Sequence, residues 1–538
     1  MTVTQQEQSP STDTTISYLG RHDELVKRIS TGTRDSLIES ESSTISETTP
    51  LLPSATHQGK PVEDDNGKFV QTLMEELPVL GWFALPTFGS QFLEYGLGVV
   101  SVISIGHLST TALAAASLGS MTASLSGWGV ISGLTSALDT LLPSTWTSDR
   151  PQFVGLWAQR MCIVTAAFSV FTLTVWFNAE PILLALKQDP EVARLASLYL
   201  RWSSLGLPAY AFNNISRRYF QAQNLFSIPT HIIVVVTPFN ILFNYLLVWG
   251  PESVRLGFIG APLATAISFN LISVLYIIYG VFFVPKTAWH PISRQMFSGL
   301  GVLIRLGLSG IAEVGSDYWA WDGVAFGASF LGPVALASQS VLLTTTATMY
   351  SGPLALGMAT AVRIGNLLGE RRAKRARVAA FAGMIWALTY ATLTSTMLLV
   401  LRNSWARIFN NDPEVVTKVA GIIPLVATFQ AFDGITSVAG GIMRSQGRQF
   451  TGAVLIFCSY FLFGIPVGMV LAFKYKKDLF GIWTGMTIAL VCCAFLGTWL
   501  AFRTDWDYEL EKAQRRLAEE KERARKMKRA PLEEGAQE

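Results

Sequence analysis

Three acidic residues lie in one apolar segment near the middle of the chain. Glu313, Asp317 and Asp322 fall within Leu306–Leu331, which is long enough to span a membrane and contains no Lys, Arg or His. A charged carboxylate at the centre of a bilayer costs about 2.5–3.5 kcal/mol. Three in one span therefore indicate a site at which carboxylates bind protons, small cations or organic cations in turn.

The aromatic residues of this segment follow the acids at helical spacing. In a helix, Glu313 and Asp317 lie about 40° apart on one face, with Trp321 one turn beyond Asp317. Asp322 points about 140° away from Asp317, and Tyr318 lies one turn before it. An acid beside an aromatic ring is typical of a site for organic cations. The alternative is that the acids only pair with Arg or Ser on neighbouring helices.

The composition of the chain is that of a polytopic helical membrane protein. Of 538 residues, 50% are hydrophobic and only 15% are charged. The net charge of +3 is too small to indicate a nucleic-acid partner. The four Cys and five His have no spacing typical of a metal site or disulfide framework, so we expect no metal and no cofactor.

Apolar stretches long enough to cross a bilayer recur twelve times along the chain. An even number of spans places both termini on one side. The connection from Gly369 to Val378 is dense in Arg and Lys, and the positive-inside rule therefore places it and both tails in the cytoplasm. The predicted spans are Leu77–Ile103, Leu113–Leu138, Gly155–Phe177, Ala193–Phe212, Ser227–Trp249, Phe258–Phe283, Ile304–Leu331, Val334–Ala361, Ala379–Leu401, Gly421–Met443, Ala453–Phe473 and Ile482–Phe502.

The two halves of the chain share short motifs in the same order. Gln188–Val192 (QDPEV) follows the third span and Asn411–Val415 (NDPEV) follows the ninth, each suited to starting a helix with Asp as N-cap and Pro next. Six spans per repeat predict an all-α integral membrane protein, with twelve transmembrane helices in two pseudo-symmetric six-helix lobes around a central cavity. Two further pairs are Gln221–Gln223 with Arg444–Gln446 and Gly133–Asp139 with Gly357–Arg363.

These boundaries predict five parts of the chain. They are a disordered cytoplasmic N-terminal tail (1–76), an N-lobe (77–284), a cytoplasmic inter-lobe linker (285–303), a C-lobe (304–503) and a charged cytoplasmic C-terminal tail (504–538). Within the last, we expect Glu509–Lys528 to form a solvated helix.

The N-terminal tail contains a candidate sorting signal. Glu47, Leu51 and Leu52 form an acidic dileucine pattern of the kind that endosomal and vacuolar sorting adaptors read. This predicts an adaptor as partner and a vacuolar or other endomembrane location, with the plasma membrane as the alternative.

A set of short motifs between about residues 77 and 513 occurs in a characteristic order and spacing. The motifs are Gly106–Ser109 (GHLS), Ala114–Leu118 (AAASL), Ser136–Thr140 (SALDT), the two DPEV segments, Tyr219–Gln223 (YFQAQ), Arg363–Asn366 (RIGN), Phe432–Asp433, Gly440–Arg444 (GGIMR) and Arg503–Trp506 (RTDW). With these motifs the chain resembles multidrug and toxic compound extrusion (MATE) transporters of the eukaryotic, particularly fungal, type. The resemblance implies an antiporter in the bilayer that exchanges small organic compounds, often cationic, for protons, with sodium as the alternative.

The resemblance also assigns candidate site residues. Asp317 falls where eukaryotic members have a membrane-embedded Glu before an aromatic pair, and Asp322 and Asp433 fall at two further acidic positions. Glu94 replaces what is often Gln in plant-type members. The proton- or substrate-binding candidates are Glu94, Glu313, Asp317, Tyr318, Trp319, Trp321, Asp322 and Asp433. The gate or structural polar candidates are Asp139, Gln223, Arg363, Asn366 and Arg444.

Three other protein classes fit the sequence less well. A lipid-linked oligosaccharide flippase shares the lobed fold, but it should line its cavity with Lys and Arg rather than with acids. An integral-membrane enzyme is disfavoured because the spans hold no nucleophile–base pair or metal-ligand cluster. A major-facilitator porter is disfavoured because the Gly-Asp-Arg type of loop after the second span is missing.

Overall fold

The computed structural model describes residues 69–409 and 412–534, and this part of the chain is helical without a β-strand. The candidate sorting residues Glu47, Leu51 and Leu52 lie outside the described residues. The described helices are α1 (Phe69–Gly106), α2 (Thr110–Ala123), α3 (Gly129–Thr135), α4 (Ala137–Trp146), α5 (Phe153–Phe177), α6 (Ala179–Ala185), α7 (Pro190–Ser203), α8 (Leu207–Ala222), α9 (Ser227–Trp249), α10 (Gly260–Phe282), α11 (Leu300–Ser329), α12 (Pro333–Gly369), α13 (Ala373–Val400), α14 (Pro413–Ser445), α15 (Gln449–Phe457), α16 (Ile465–Met469), α17 (Asp478–Phe502) and α18 (Trp506–Glu534).

Eight helical stretches in the described residues are long and apolar enough to cross a membrane. The other four predicted spans fall on less regular or more polar helices. The second span is a series, α2 to α4, interrupted by a π-helical turn at Ser124–Trp128. The fourth is split into α7 and α8 at Ser204–Gly206, just before Pro208. The seventh and eighth lie on the continuous helices α11 and α12.

The repeated DPEV motifs start helices, as the sequence predicts. The Asp189 carboxylate accepts hydrogen bonds from the backbone N–H groups of Glu191 and Val192 at the start of α7. The Asp412 carboxylate accepts one from Glu414 at the start of α14. Each Asp satisfies backbone donors that a helix N-terminus leaves without an internal partner.

The N-lobe (α1–α10) and the C-lobe (α11–α17) meet along α3 and α11. At their crossing, a Cβ added to Gly310 would lie 2.2 Å from the carbonyl oxygen of Gly133. Any larger residue would force the two helices apart, so the glycine pair sets how closely the lobes approach. In the C-lobe, an aromatic core holds Trp321 edge-on to Phe429, with 5.5 Å between ring centroids, and next to Trp483.

Two predicted tails differ from the structure. The sequence predicts a disordered tail as far as residue 76, whereas α1 already includes Phe69 and buries Glu76 completely. The C-terminal tail is predicted to be a solvated helix, but α18 buries Trp506, Glu509 and Glu520 against the rest of the protein. Glu76 and Glu520 have partners that are distant in sequence, Arg363 and Arg160, and local composition does not reveal such partners.

Candidate functional site

Asp317 and Asp433 form the centre of the candidate site and are called the central acids below. They lie on α11 and α14, close enough for their carboxylates to repel each other. Tyr460 hydrogen-bonds to the carboxylate of Asp317, and Tyr350 interacts electrostatically with both acids. The structure therefore brings together two acids that are far apart in the chain, with two tyrosines beside them.

The central acids differ from Glu94 and Glu313 in having no cationic partner among the described residues. Among the described residues, no Lys, Arg or His makes an ion pair with Asp317 or Asp433. Asp317 has a phenol as its hydrogen-bond partner, and its neighbouring charges are those of Asp433 and Glu313. Two unneutralised carboxylates in a protein interior are costly unless they bind a proton or a cation.

Glu313 and Glu94 are predicted to bind protons or substrate, but both are engaged in ion pairs. The Arg444 guanidinium donates a hydrogen bond of 2.8 Å to buried Glu313. Arg217 lies 2.6 Å from Glu94 and also donates to Gln91. A buried arginine requires a counter-ion, so these two acids neutralise arginines in this conformation.

The aromatic candidates have different surroundings. Trp321 packs into the aromatic core of the C-lobe, beside Phe429 and Trp483. The Tyr318 ring lies against Gly129 of the N-lobe and interacts electrostatically with Asp317 and Asp322. Tyr318 therefore lies where the lobes meet. Asp322 is partly buried, and Trp319 is more than half exposed.

A row of four alternating charges, called the charge chain below, crosses from one lobe to the other. Arg218 donates a hydrogen bond of 2.9 Å to Asp139 within the N-lobe. Arg444 and Glu313 form the equivalent close pair within the C-lobe. The two pairs are joined by Asp139 and Arg444, which are 3.8 Å apart. The contact between the lobes is thus the longest of the three.

Two further polar contacts join the lobes near α18. Arg363 donates two hydrogen bonds, of 2.6 and 2.7 Å, to buried Glu76, and Arg375 donates a third to the same carboxylate. The Asn366 amide donates to the side-chain oxygen of Asn224 at 2.8 Å. These contacts tie α1 and the end of α8 to helices of the C-lobe.

Gln223 has a different role from its neighbour Asn224. Its side chain donates to the carbonyl oxygen of Tyr219 in its own helix. Asn224 reaches across to the C-lobe instead, from a left-handed backbone position with φ of 64° just after α8. Asn tolerates this conformation at a helix C-terminus. An Asn directly after the end of α8 is therefore the local sequence feature that could have pointed to Asn224.

Sequence reasoning missed several residues of the site and of the lobe contacts. No motif marks Tyr350 and Tyr460, because isolated tyrosines in apolar spans resemble ordinary core residues. Glu76 and Arg218 carry a weak signal, since a charge at the end of an apolar span requires a partner. In the described residues, no group of His, Cys, Asp and Glu side chains could hold a metal ion.

Comparison with known families gives a match over more than half of the chain. The family model described as MatE matches residues 86–246 and 324–470. These two segments lie in the N-lobe and in the C-lobe, consistent with an internal repeat.

Several curated proteins are similar over most of their length. The chain is 38% identical over 457 residues to an uncharacterized transporter of Schizosaccharomyces pombe, covering 85% of this chain and 84% of that protein. It is 32% identical to Protein DETOXIFICATION 12 of Arabidopsis thaliana, covering 82% and 92%. It is 29% identical to multidrug and toxin extrusion protein 2 of Mus musculus, covering 83% and 78%.

A solved structure has the same architecture. The crystal structure of the eukaryotic MATE transporter AtDTX14 superposes with a TM-score of 0.77 at 27% identity, covering 83% of this chain and 99% of that one. The Vibrio cholerae MATE transporter VcmN in its bent form gives a TM-score of 0.71 at 16% identity, covering 82% and 99%, a likeness of fold.

Proposed function

The chain belongs to the MatE family of membrane transporters, and we propose that it is an antiporter that extrudes organic cations in exchange for protons. The relatives named above are transporters, so the protein is a transporter and not an enzyme. The flippase alternative gains no support, because the similar proteins are named as transporters or as detoxification or extrusion proteins. The coupling ion, the substrate class and the roles of individual residues belong to the proposal.

The observation that carries the proposal is the absence of a cationic partner at the central acids within the described part of the chain. By contrast, an arginine lies beside each of four other acids discussed above, which are Glu76, Glu94, Asp139 and Glu313. Asp317 and Asp433 can gain a partner by taking up a proton or by binding a cationic substrate. Because either ligand relieves the same repulsion, the two compete for one site, and this competition is the basis of exchange.

The charge chain suits a gate that can open without leaving a charged side chain unpaired. When the lobes separate at the Asp139–Arg444 contact, the N-lobe keeps the pair Arg218–Asp139 and the C-lobe keeps the pair Arg444–Glu313. Each lobe thus retains a neutral pair, and at this contact no buried charge is left unpaired. We place this gate on the cytoplasmic side of the membrane. The cluster of cations between Gly369 and Val378 indicates that side by the positive-inside rule.

The test is substrate uptake into proteoliposomes. We expect a fluorescent organic cation such as ethidium to accumulate when the lumen is more acidic than the outside. Each pH unit supplies about 1.4 kcal/mol per proton, which corresponds to about tenfold accumulation. Dissipating the pH gradient with nigericin in potassium buffer should abolish accumulation.

Two further comparisons test the coupling ion and the role of the central acids. Accumulation driven by a sodium gradient at equal pH would overturn proton coupling. Asp317→Asn and Asp433→Asn, which keep the side-chain shape and remove the titrating group, should each lose proton-driven uptake. A matched control is Asp507→Asn on the exposed side of α18, which should transport like the parent. Unchanged uptake in both central variants would refute the shared site.

A further inference from the structure

The C-terminal helix α18 is anchored to the N-lobe by a buried ion pair. Glu520 lies 2.7 Å from Arg160 of α5, without the alignment of a hydrogen bond, and their side chains are only 5% and 0% exposed. Arg160 also donates hydrogen bonds to the backbone of Gln295 and to the hydroxyl of Ser298 in the inter-lobe linker. Ala524, one turn after Glu520, packs into a small apolar cluster on α5.

The first half of α18 is anchored to the C-lobe. Lys512 donates a hydrogen bond of 2.9 Å to the carbonyl oxygen of Gln446, at the end of α14. The Gln514 amide donates to the carbonyl oxygen of Leu368, at the end of α12. Burial lowers the pKa of Lys512, as expected for an ammonium group enclosed by protein.

One position shows how closely the helix fits. Arg516 lies against Gly447, where an added Cβ would come within 2.7 Å of the guanidinium. Gly447 has φ of 70°, so a glycine is favoured there for the backbone as well as for space. The same Cβ would lie 3.2 Å from Thr140 of the N-lobe, so α18 covers the place where the lobes meet.

We propose that α18 is a brace that holds the two lobes together on the cytoplasmic side and must release one of them before that side opens. A rigid helix fixed at both ends to bodies that move apart cannot keep both sets of contacts. The brace therefore stabilises the conformation described here and adds to the free energy of opening. This inference rests on the proposed transport by rocking of the lobes, and it goes beyond that proposal because α18 contains none of the central acids.

The experiment measures opening directly, by cysteine labelling. The background has all four native cysteines replaced by Ala, namely Cys162, Cys458, Cys492 and Cys493. Ser144→Cys then places a near-isosteric reporter on α4 of the N-lobe. This position lies against the C-lobe, since a Cβ added to Gly369 would come within 2.5 Å of the backbone oxygen of residue 144. Inside-out vesicles are then treated with a membrane-impermeant maleimide, and the rate of labelling is measured with and without ethidium.

Two variants remove one anchor each, and their neighbours provide matched controls. Glu520→Gln removes the anchor to the N-lobe, and Lys512→Gln weakens the anchor to the C-lobe. We expect about tenfold faster labelling in Glu520→Gln, since breaking a buried ion pair is costly to the state that contains it, and a smaller increase in Lys512→Gln. Glu519→Gln and Arg515→Gln alter a solvent-exposed pair on the same helix and should label like the parent.

The outcomes separate the brace from the transport proposal. Equal labelling in Glu520→Gln, Lys512→Gln and the parent would overturn the brace, whatever the transport activity. Parent labelling that changes with ethidium supports rocking of the lobes, and unchanged labelling in every variant and condition would count against both proposals. If Glu520→Gln elutes as an aggregate in size-exclusion chromatography, Lys512→Gln decides, because it keeps the buried Glu520–Arg160 pair. Lys512→Gln loses the hydrogen bond to Gln446 and the ion pair with Glu509 of the same helix.

Discussion

Replacing Glu313 by Gln should hinder the opening of the proposed cytoplasmic gate, although it removes no contact between the lobes. In the parent, opening leaves Arg444 paired with Glu313 inside the C-lobe. In Glu313→Gln, the remaining acid of the charge chain is Asp139, which belongs to the N-lobe and is already shared with Arg218. Opening would therefore leave Arg444 without a counter-ion.

The size of the effect follows from the distances in the charge chain. At 3.8 Å and an effective dielectric constant of about 20, the attraction between Asp139 and Arg444 is about 4 kcal/mol. Repulsion between Asp139 and Glu313 opposes it in the parent and is lost in the variant. Leaving a buried charge without its partner costs about 3–5 kcal/mol. Because water reaches the gate as it opens, we take the lower end, which corresponds to a loss of transport of roughly 100-fold.

The assay is proton-driven ethidium uptake combined with labelling of the Ser144→Cys reporter, and the decisive comparison is a double variant. Glu313→Gln should show slow uptake and slow labelling. Glu313→Gln with Arg444→Gln removes both members of the pair, leaves no stranded charge, and should recover most of the labelling rate. If the double variant is labelled as slowly as Glu313→Gln, the explanation by an unpaired Arg444 is refuted, and a direct proton-binding role for Glu313 is favoured.

Three further predictions concern stability, coupling and location. Glu76→Gln leaves two arginines without their buried carboxylate and should lower the free energy of unfolding by about 3 kcal/mol, whereas Glu75→Gln, at a half-exposed position, should cost less than about 1 kcal/mol; thermal unfolding in detergent measures both. Asp317→Asn should leave the elution profile unchanged and abolish pH-driven uptake, and normal proton-driven uptake would contradict its assignment. Replacing Leu51 and Leu52 by Ala should move a fluorescent fusion from the vacuolar membrane to the cell surface, and an unchanged distribution would mean that the dileucine match is accidental.

Much of the architecture could be predicted from the sequence, because it depends on local patterns. Apolar stretches of membrane length predict helices wherever they occur. The two DPEV motifs indicate a repeat and start helices through Asp189 and Asp412, as the structure confirms. Asp317 attracts attention in the same way, since an acid inside an apolar helix is costly wherever the helix lies.

The polar partners could not be predicted, because each pair joins residues that are distant in the chain. The spacing of Glu313 and Asp317 suggests two equivalent acids on one face, yet one is neutralised by Arg444 and the other faces Asp433. A one-turn shift along α11 separates these environments, and the packing of α14 determines which acid meets the arginine.

The C-terminal helix gives the same lesson. Its composition is that of a soluble charged helix, and that remains true of its exposed side. Only the tertiary structure brings Glu520 to Arg160 and Lys512 to Gln446. Local sequence determines where helices form and which positions are costly to bury. The packing of the two lobes decides which acids lie beside an arginine and which, like Asp317 and Asp433, do not, because the strength of an ion pair depends on separation in space and not along the chain.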